Sequence, residues 1–565
     1  MDQQASSSSS KQTQLHKGKA CFNCRRRKVK CDAKKPICGP CARFVGGGLS
    51  DCEYTERGPA RSQLLEEQIS IIESRIQELE HPRAFRTSID LHDPYSQQGE
   101  ESGTIALPSL PSFARNSYQE RHTSVGPQSE DHPMPIALPR IPRLDLNQPP
   151  DPEALVDNLP LGICQALTHN FMRHASQIGL FLDPQILLDL AAGTAPPHAV
   201  SPALRHAVCL WGARLTRSPA LSAHEPAFLA AALRSAARTL PHAVLHTAQA
   251  EVLLAAYFFR AARVLEGKYH AGAAASIVLS AGLHRMRSPM ADVGKGTLPP
   301  PAAAREEGER VNAFWAVLTL NNCWTTADGS PANISYAAHG VDTPWPHELY
   351  EYSENPGLLP AQSSGTIDKF LANILDDGTA VPALHAKAAI LFEQASRLAA
   401  RYSDGITRHD QPPPFSDEFS ALDGVIAGFK LGLPRAASRT LLVTHTLAHV
   451  ATIQLHNPFC LGNRASRGRV LTAAHAVVAL LGGTDVQALG FVDAIMGTLW
   501  TAACQVFITE LSRARYSSPA RATTEELGDS VETLVGAMAV FASDSRLIEM
   551  QLDSVKKSYA AVRNA

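Results

Sequence analysis

Six cysteines near the N-terminus constrain this chain more than any other feature of its sequence. They form two similar halves, each opening with Cys-x2-Cys and closing with a third cysteine: Cys21, Cys24 and Cys31, then Cys38, Cys41 and Cys52. Zinc prefers four tetrahedral ligands, and thiolate sulfur suits it. Six thiolates can serve two zinc ions only if two sulfurs bridge. We therefore predict a module with two zinc ions over residues 17–57, bridged by the first cysteine of each half, Cys21 and Cys38.

The rest of the sequence favours metal binding over disulfides for these cysteines. The other five cysteines are scattered, and the polar N-terminus "MDQQASSSSSKQTQ" shows no apolar signal segment. No apolar run approaches the roughly twenty residues that a membrane helix needs. We expect a reducing compartment and no membrane partner, so clustered thiols should hold metal.

The charge of the chain is unevenly distributed. Residues 1–61 contain 13 Lys/Arg and 5 Asp/Glu, whereas the remainder contains 39 and 49. Five of those cations lie in "RRRKVK", the loop between Cys24 and Cys31. Cations this close repel one another unless a polyanion neutralises them, and phosphates would do so. The loop therefore indicates a nucleic-acid partner, although a nuclear-import signal has a similar composition.

The stretch "ACFNCRRRKVKCDAKKPICGPCARF", followed by "CEYT", resembles the fungal zinc binuclear cluster transcription factors, a six-cysteine family. The gap before Cys52 is longer than is usual in that family. The resemblance implies a nuclear, sequence-specific regulator of RNA polymerase II transcription that reads CGG-type half-sites in double-stranded DNA. It places a short helix from near Cys24 in the major groove. There it assigns base contacts to Arg27 and Lys28, and phosphate contacts to Arg25 and Lys30.

A heptad pattern follows the cysteine module. Apolar residues recur at steps of four, three, four and three in "LEEQISIIESRIQEL", at positions Leu65, Ile69, Ile72, Ile76 and Leu79. Isoleucine at a with mostly leucine at d favours a parallel two-stranded coiled coil. We predict that this helix makes a homodimer and presents two modules to two half-sites. An amphipathic helix packed on the rest of the chain stays open as the alternative.

Composition divides the chain into segments. The predicted fold class is a small zinc binuclear cluster module, a short coiled coil, a disordered tether and a large all-α domain. The predicted segments are a disordered 1–16, the DNA-binding module 17–57, a linker 58–64, the coiled-coil helix 65–81, a disordered tether 82–150 and an all-α region 151–565.

The all-α region shows its own resemblance. "AEVLLAAYFFRAARVLEGKYHAGAAASIVLSAGLHR" and "ERVNAFWAVLTLNNCWTTADGSPANISYAAHGVDTPWP" look like the fungal-specific regulatory region of the same family. This implies a regulatory unit that acts on the transcription machinery and, in some members, responds to a small-molecule effector. Within it, apolar spacing predicts a helix over 243–265, a turn at "EGK" and a second helix over 270–282.

The sequence leaves two other classes of function open. An enzyme with a zinc-stabilised appendage would need a catalytic constellation, and the sequence shows no phosphate-binding glycine loop and no nucleophile elbow. His445, His449 and His456 include a pair spaced by four, but packed or surface histidines explain them better than a metal site. A non-DNA interaction scaffold would not need a cationic loop inside its zinc frame. We therefore predict a DNA-binding regulator, not an enzyme.

Overall fold

The computed structural model describes residues 20–21, 23–24, 27–35, 37–43, 52, 159–196, 199–238, 243–289, 298–355, 357–408, 415–517 and 521–564. These residues belong to two units, which divide between Thr123 and Ser124. The predicted coiled coil and tether lie outside the described residues. No described helix has the length and apolar character that crossing a membrane would need.

The described chain is helical and contains no β-strand. In chain order the α-helices are α1 (Gly39–Ala42), α2 (Leu161–Met172), α3 (Ala175–Ile178), α4 (Pro184–Ala192), α5 (Pro202–Arg214), α6 (Pro219–Ser222), α7 (Glu225–Ala236), α8 (Val244–Arg260), α9 (Val264–Ser280), α10 (Ala304–Asp328), α11 (Tyr336–His339), α12 (Leu349–Glu354), α13 (Thr366–Leu371), α14 (Val381–Arg408), α15 (Phe415–Gly432), α16 (Arg439–His456), α17 (Arg464–Gly482), α18 (Val486–Leu489), α19 (Ile495–Ser517), α20 (Arg521–Ala542) and α21 (Arg546–Asn564).

In the N-terminal unit, the core consists of the cysteines themselves. All six side chains are buried in one cluster, with Ala20 and Ile37 packed against it. A segment this short has too little apolar surface for an ordinary hydrophobic core. Its structure therefore depends on whatever binds those sulfurs.

In the C-terminal unit, helix boundaries follow local capping chemistry. The Ser201 hydroxyl accepts a hydrogen bond from the backbone N–H of Leu204, and Pro202 is the first residue of α5. Asp183 caps α4 in the same way, and α4 ends at Gly193 in the left-handed conformation. These signals are local, so they act before any tertiary contact forms.

One large hydrophobic cluster holds most of these helices together, and α10 lies within it. Most residues of α10 are buried, including Phe314 and Trp315. A helix that is buried on most sides cannot show a one-sided apolar stripe. A smaller cluster, which includes Leu167 and Phe228, fills the space between α2, α5 and α7.

The turn predicted at "EGK" is wrong. Glu266, Gly267 and Lys268 lie inside α9, and the chain instead turns over 261–263, where Ala262 has a φ of 61°. A Cβ on Gly267 would lie 2.6 Å from the ring of Phe259. The glycine therefore serves close packing of α9 on α8, a use that the sequence does not distinguish from a turn.

Candidate metal centre and nucleic-acid interface

Four of the cysteine sulfurs form a tight quadrilateral. The Sγ atom of Cys24 lies 3.5 Å from that of Cys38 and 3.8 Å from that of Cys41. The Sγ atom of Cys21 lies 3.7 Å from that of Cys38 and 3.8 Å from that of Cys41. The four cysteines are free thiols, and sulfurs at these distances suit the ligands of a compact metal cluster.

The six sulfurs divide into two groups of four. One group contains Cys21, Cys24, Cys31 and Cys38, and the other contains Cys21, Cys38, Cys41 and Cys52, with the four Sγ atoms of each within 4.8 Å of one another. Cys21 and Cys38 belong to both groups. Six thiols thereby supply two complete tetrahedral sets, so the donor set fits two zinc ions.

Burial makes the two shared thiols hard to ionise without a cation. It raises the pKa of Cys21 to about 12, and it raises the pKa of Cys38 further above the ordinary value. A zinc ion reverses this preference, because metal binding requires the thiolate and releases the proton. Without zinc, burial therefore favours the neutral thiol at these two positions, whereas zinc would favour the thiolate.

Backbone N–H groups donate to the sulfurs of Cys31 and Cys52. Cys31 accepts from the N–H groups of Cys21 and Ala33, at 3.5 and 3.4 Å. Burial raises the pKa of Cys31, but these donors and the hydrogen bonds of the Cys38 and Cys21 thiols outweigh it, and the net pKa is lowered. Cys52 accepts from the N–H of Cys38 at 3.2 Å, so the long gap before it still brings its sulfur to the cluster.

A carboxylate joins the two halves. The Asp32 side chain accepts from the backbone N–H of Gly39 at 2.9 Å, where α1 begins. This hydrogen bond lowers the pKa of Asp32. A Cβ on Gly39 would approach an Asp32 oxygen to 2.6 Å, so the glycine leaves room for the contact. The sequence contains both residues, but nothing in their spacing indicated this bond.

The basic side chains do not all point outward. Lys28 and Lys30 are exposed. The Arg27 guanidinium instead donates from Nη2 to the Sγ of Cys41 at 3.0 Å and from Nε to the backbone oxygen of Asn23 at 3.3 Å. Arg27 therefore lies against the cluster, where its positive charge would offset the negative charge of the zinc-bound thiolates. Arg25 and the five heptad residues lie outside the described residues.

The described histidines of the C-terminal unit do not gather into a metal site. The only clusters of potential metal ligands in the described part of the chain are the two cysteine groups. His456 contacts Asp423 and Ser466, whereas the half-buried His445 bonds the backbone oxygen of Pro434 through its ring. Burial lowers the pKa of His449 to about 4. These contacts fit packed and surface histidines.

Comparison with known proteins identifies the N-terminal segment. Residues 19–61 match the family model described as the fungal Zn(2)-Cys(6) binuclear cluster domain. No curated protein and no solved structure matches the chain. Domains of this family are typical of fungal DNA-binding transcription factors, not of enzymes. The sulfur geometry and the family model agree: residues 19–61 are a fungal Zn(2)-Cys(6) binuclear cluster domain, and this domain binds two zinc ions.

Proposed function

We propose that this protein is a nuclear, sequence-specific DNA-binding regulator of RNA polymerase II transcription. The observation that carries the proposal is the exposure of Lys28 and Lys30 on a loop anchored at both ends in the zinc cluster. Exposed cations held on a rigid frame neutralise phosphates and donate to base edges with little loss of side-chain freedom.

All six cysteines act as zinc ligands in this proposal, and Cys21 and Cys38 bridge the two ions. Their membership of both four-sulfur groups supports this assignment. Asp32 then holds the two halves in register through Gly39. The zinc ions therefore fix the backbone from which the basic loop projects.

Base reading is assigned to Lys28 and Arg27, both of which can donate to guanine O6 and N7 in CGG-type triplets. Lys28 is already exposed. Arg27 must leave the Sγ of Cys41 to reach a base, so its contribution includes the loss of that hydrogen bond. Lys30 and Arg25 are assigned to phosphates, which set affinity but not sequence preference.

Two copies of the chain bind paired half-sites through the heptad segment, residues 65–79. In this arrangement Leu65, Ile72 and Leu79 occupy d, and Ile69 and Ile76 occupy a. The C-terminal helical unit is the regulatory region that acts on the transcription machinery. Its buried core and varied helix contacts support a role as a folded module.

The test is DNA binding by the full chain, measured by fluorescence anisotropy on duplexes with paired CGG triplets and with scrambled triplets. We expect tighter binding to the paired triplets, and weaker binding as salt rises, because phosphate contacts release counterions. A chain loaded with two zinc ions that shows no salt-sensitive DNA binding would instead be an interaction scaffold with a structural zinc module.

A further inference from the structure

A cavity of about 560 Å³ opens inside the helical unit, between α8, α10 and the starts of α4 and α14. Its size lies within the range of small-molecule sites, roughly 300–1,000 Å³. One face of α10 lines it, through Trp315, Ala316, Thr319 and Leu320. These residues recur at three- and four-residue steps, so they share one side of the helix.

The walls of the cavity are mostly apolar and aromatic. Trp211 and Trp315 contribute to them, and each indole N–H is already bonded to a backbone oxygen, that of Leu253 at 2.9 Å and that of Pro344 at 2.7 Å. These two indoles therefore offer ring surface and no free donor. Such surface favours flat apolar molecules.

A few polar groups in the wall have unused hydrogen-bonding capacity. Thr319 is nine-tenths buried, and its hydroxyl makes no hydrogen bond to the described part of the chain. His385 bonds Thr444 through Nδ1 at 3.2 Å, which leaves Nε2 without a described partner. Burial lowers the pKa of His385 to about 4, so its ring is neutral at physiological pH.

Charged residues in the cavity wall are paired with an opposite charge or hydrogen-bonded to backbone oxygens. Arg305 is paired with Asp183. Arg260 is fixed by backbone oxygens of Asp544 and Val492, each at 3.0 Å, and lies over the ring of Phe491 at 4.3 Å. Asp493 and Glu348 are further wall residues, and burial raises the pKa of both carboxyls, which disfavours their charged forms. The wall therefore has no surplus of cations that would select an anion.

From these observations we propose that the cavity is a binding site for an uncharged, largely apolar aromatic molecule that hydrogen-bonds Thr319 and His385. The binding claim depends on the cavity alone. An effect of the ligand on DNA binding would depend in addition on the proposed function.

The test uses the full zinc-loaded chain and N-phenyl-1-naphthylamine, a neutral aromatic fluorophore. We expect saturable fluorescence enhancement with one probe per chain. Ala316→Phe and Ala256→Phe fill the cavity from α10 and α8, respectively, and each should weaken binding at least about tenfold. Ala400→Phe, on an exposed turn of α14, is the matched control and should bind as the wild type does.

Circular dichroism and the melting temperature show whether each variant is folded. If Ala316→Phe or Ala256→Phe is folded and still binds the probe as the wild type does, the proposal is overturned. Absence of saturable binding by the wild type would overturn it as well. The sulfonated analogue 1-anilinonaphthalene-8-sulfonate, which has the same rings and a negative charge, tests the class of ligand without any variant. It should bind at least about tenfold more weakly, and equal or tighter binding would show that the site takes anions.

Discussion

At the scale of single residues, the two cysteines that belong to both four-sulfur groups differ from the other four in the number of zinc ions that they would bind. Cys21 and Cys38 belong to both four-sulfur groups, whereas Cys24 belongs to one. Removal of a sulfur that belongs to both groups would leave each zinc ion with three ligands. Removal of a sulfur that belongs to one group would leave the other zinc ion with all four ligands.

This difference predicts two zinc contents. Cys21→Ala should lose both zinc ions, because neither tetrahedral set stays complete. Cys24→Ala should keep more zinc than Cys21→Ala, since the set around Cys41 and Cys52 is intact. Zinc per chain, measured by inductively coupled plasma mass spectrometry after gel filtration, checks this. Equal losses in the two variants would contradict the bridging assignment.

The roles proposed for Lys28 and Arg25 in the basic loop predict a second contrast. Lys28→Ala should cost about 1–3 kcal/mol on a paired-triplet duplex and little on scrambled DNA, because it removes a base contact. Arg25→Ala should weaken binding to both duplexes and reduce the steepness of the salt dependence by about one unit. Anisotropy titrations at several salt concentrations measure both effects. A uniform loss on both duplexes for Lys28→Ala would place that residue on a phosphate.

At the scale of structural elements, the crossing of α2 and α5 depends on one glycine. A Cβ on Gly212 would lie 2.3 Å from the backbone oxygen of Leu167, which cannot move aside as a side chain could. Gly428, in the interior of α15, has open space where a Cβ would be. Both residues are glycines within helices, but only Gly212 is required by a close contact with another helix.

Alanine should therefore have opposite effects at these positions. Gly212→Ala should destabilise the helical unit by about 1–3 kcal/mol, because the helices must separate. Gly428→Ala should stabilise it by about 0.5–1 kcal/mol, because alanine favours helix without a new contact. Urea unfolding followed by circular dichroism gives both values. A neutral Gly212→Ala would mean that α2 shifts without cost.

The heptad segment contains a second isoleucine, outside the predicted dimer interface, that serves as a matched control. Ile72 is at a predicted d position, whereas Ile71 is at c, on the outer face. Ile72→Asp should abolish cooperative binding to paired triplets by the full chain and leave two zinc ions bound. Ile71→Asp should retain cooperative binding. Gel-shift titrations with paired and single triplets check this, and unchanged cooperativity in Ile72→Asp would assign dimerisation to another element.

At the scale of the whole molecule, the two units depend on different stabilising interactions. The N-terminal core consists of cysteine sulfurs, whereas the C-terminal core is a continuous apolar cluster that includes Trp211, Trp315 and Trp500. Metal ligation supplies folding free energy to small zinc modules. Apolar burial supplies it to a large helical unit.

Zinc removal should therefore separate DNA binding from helical stability. A strong chelator should abolish DNA binding by the full chain and leave its helical circular dichroism and main thermal transition nearly unchanged. Zinc added back under reducing conditions should restore DNA binding. A main transition that shifts to much lower temperature without zinc would contradict the independence of the two cores.

Local sequence determined the metal chemistry and the helical character of this protein. Ligand spacing is set along the chain, so the positions of Cys21 to Cys52 sufficed to predict two zinc ions. Capping residues such as Ser201 act within a few residues, so the helices of the C-terminal unit also follow from local signals. Apolar periodicity added the prediction of an all-α region, and every described helix agrees with it.

The tertiary structure decided everything that depends on residues far apart in the chain. The Arg27 guanidinium lies at Cys41 because the fold brings a thiol to it, and Gly267 lies inside α9, where the ring of Phe259 leaves no room for a Cβ. The cavity unites residues from Met172 to Ala494. Sequence patterns report the face that a residue occupies on its own helix. They do not report which faces meet or where packing leaves a space, because that depends on the three-dimensional arrangement of all the helices.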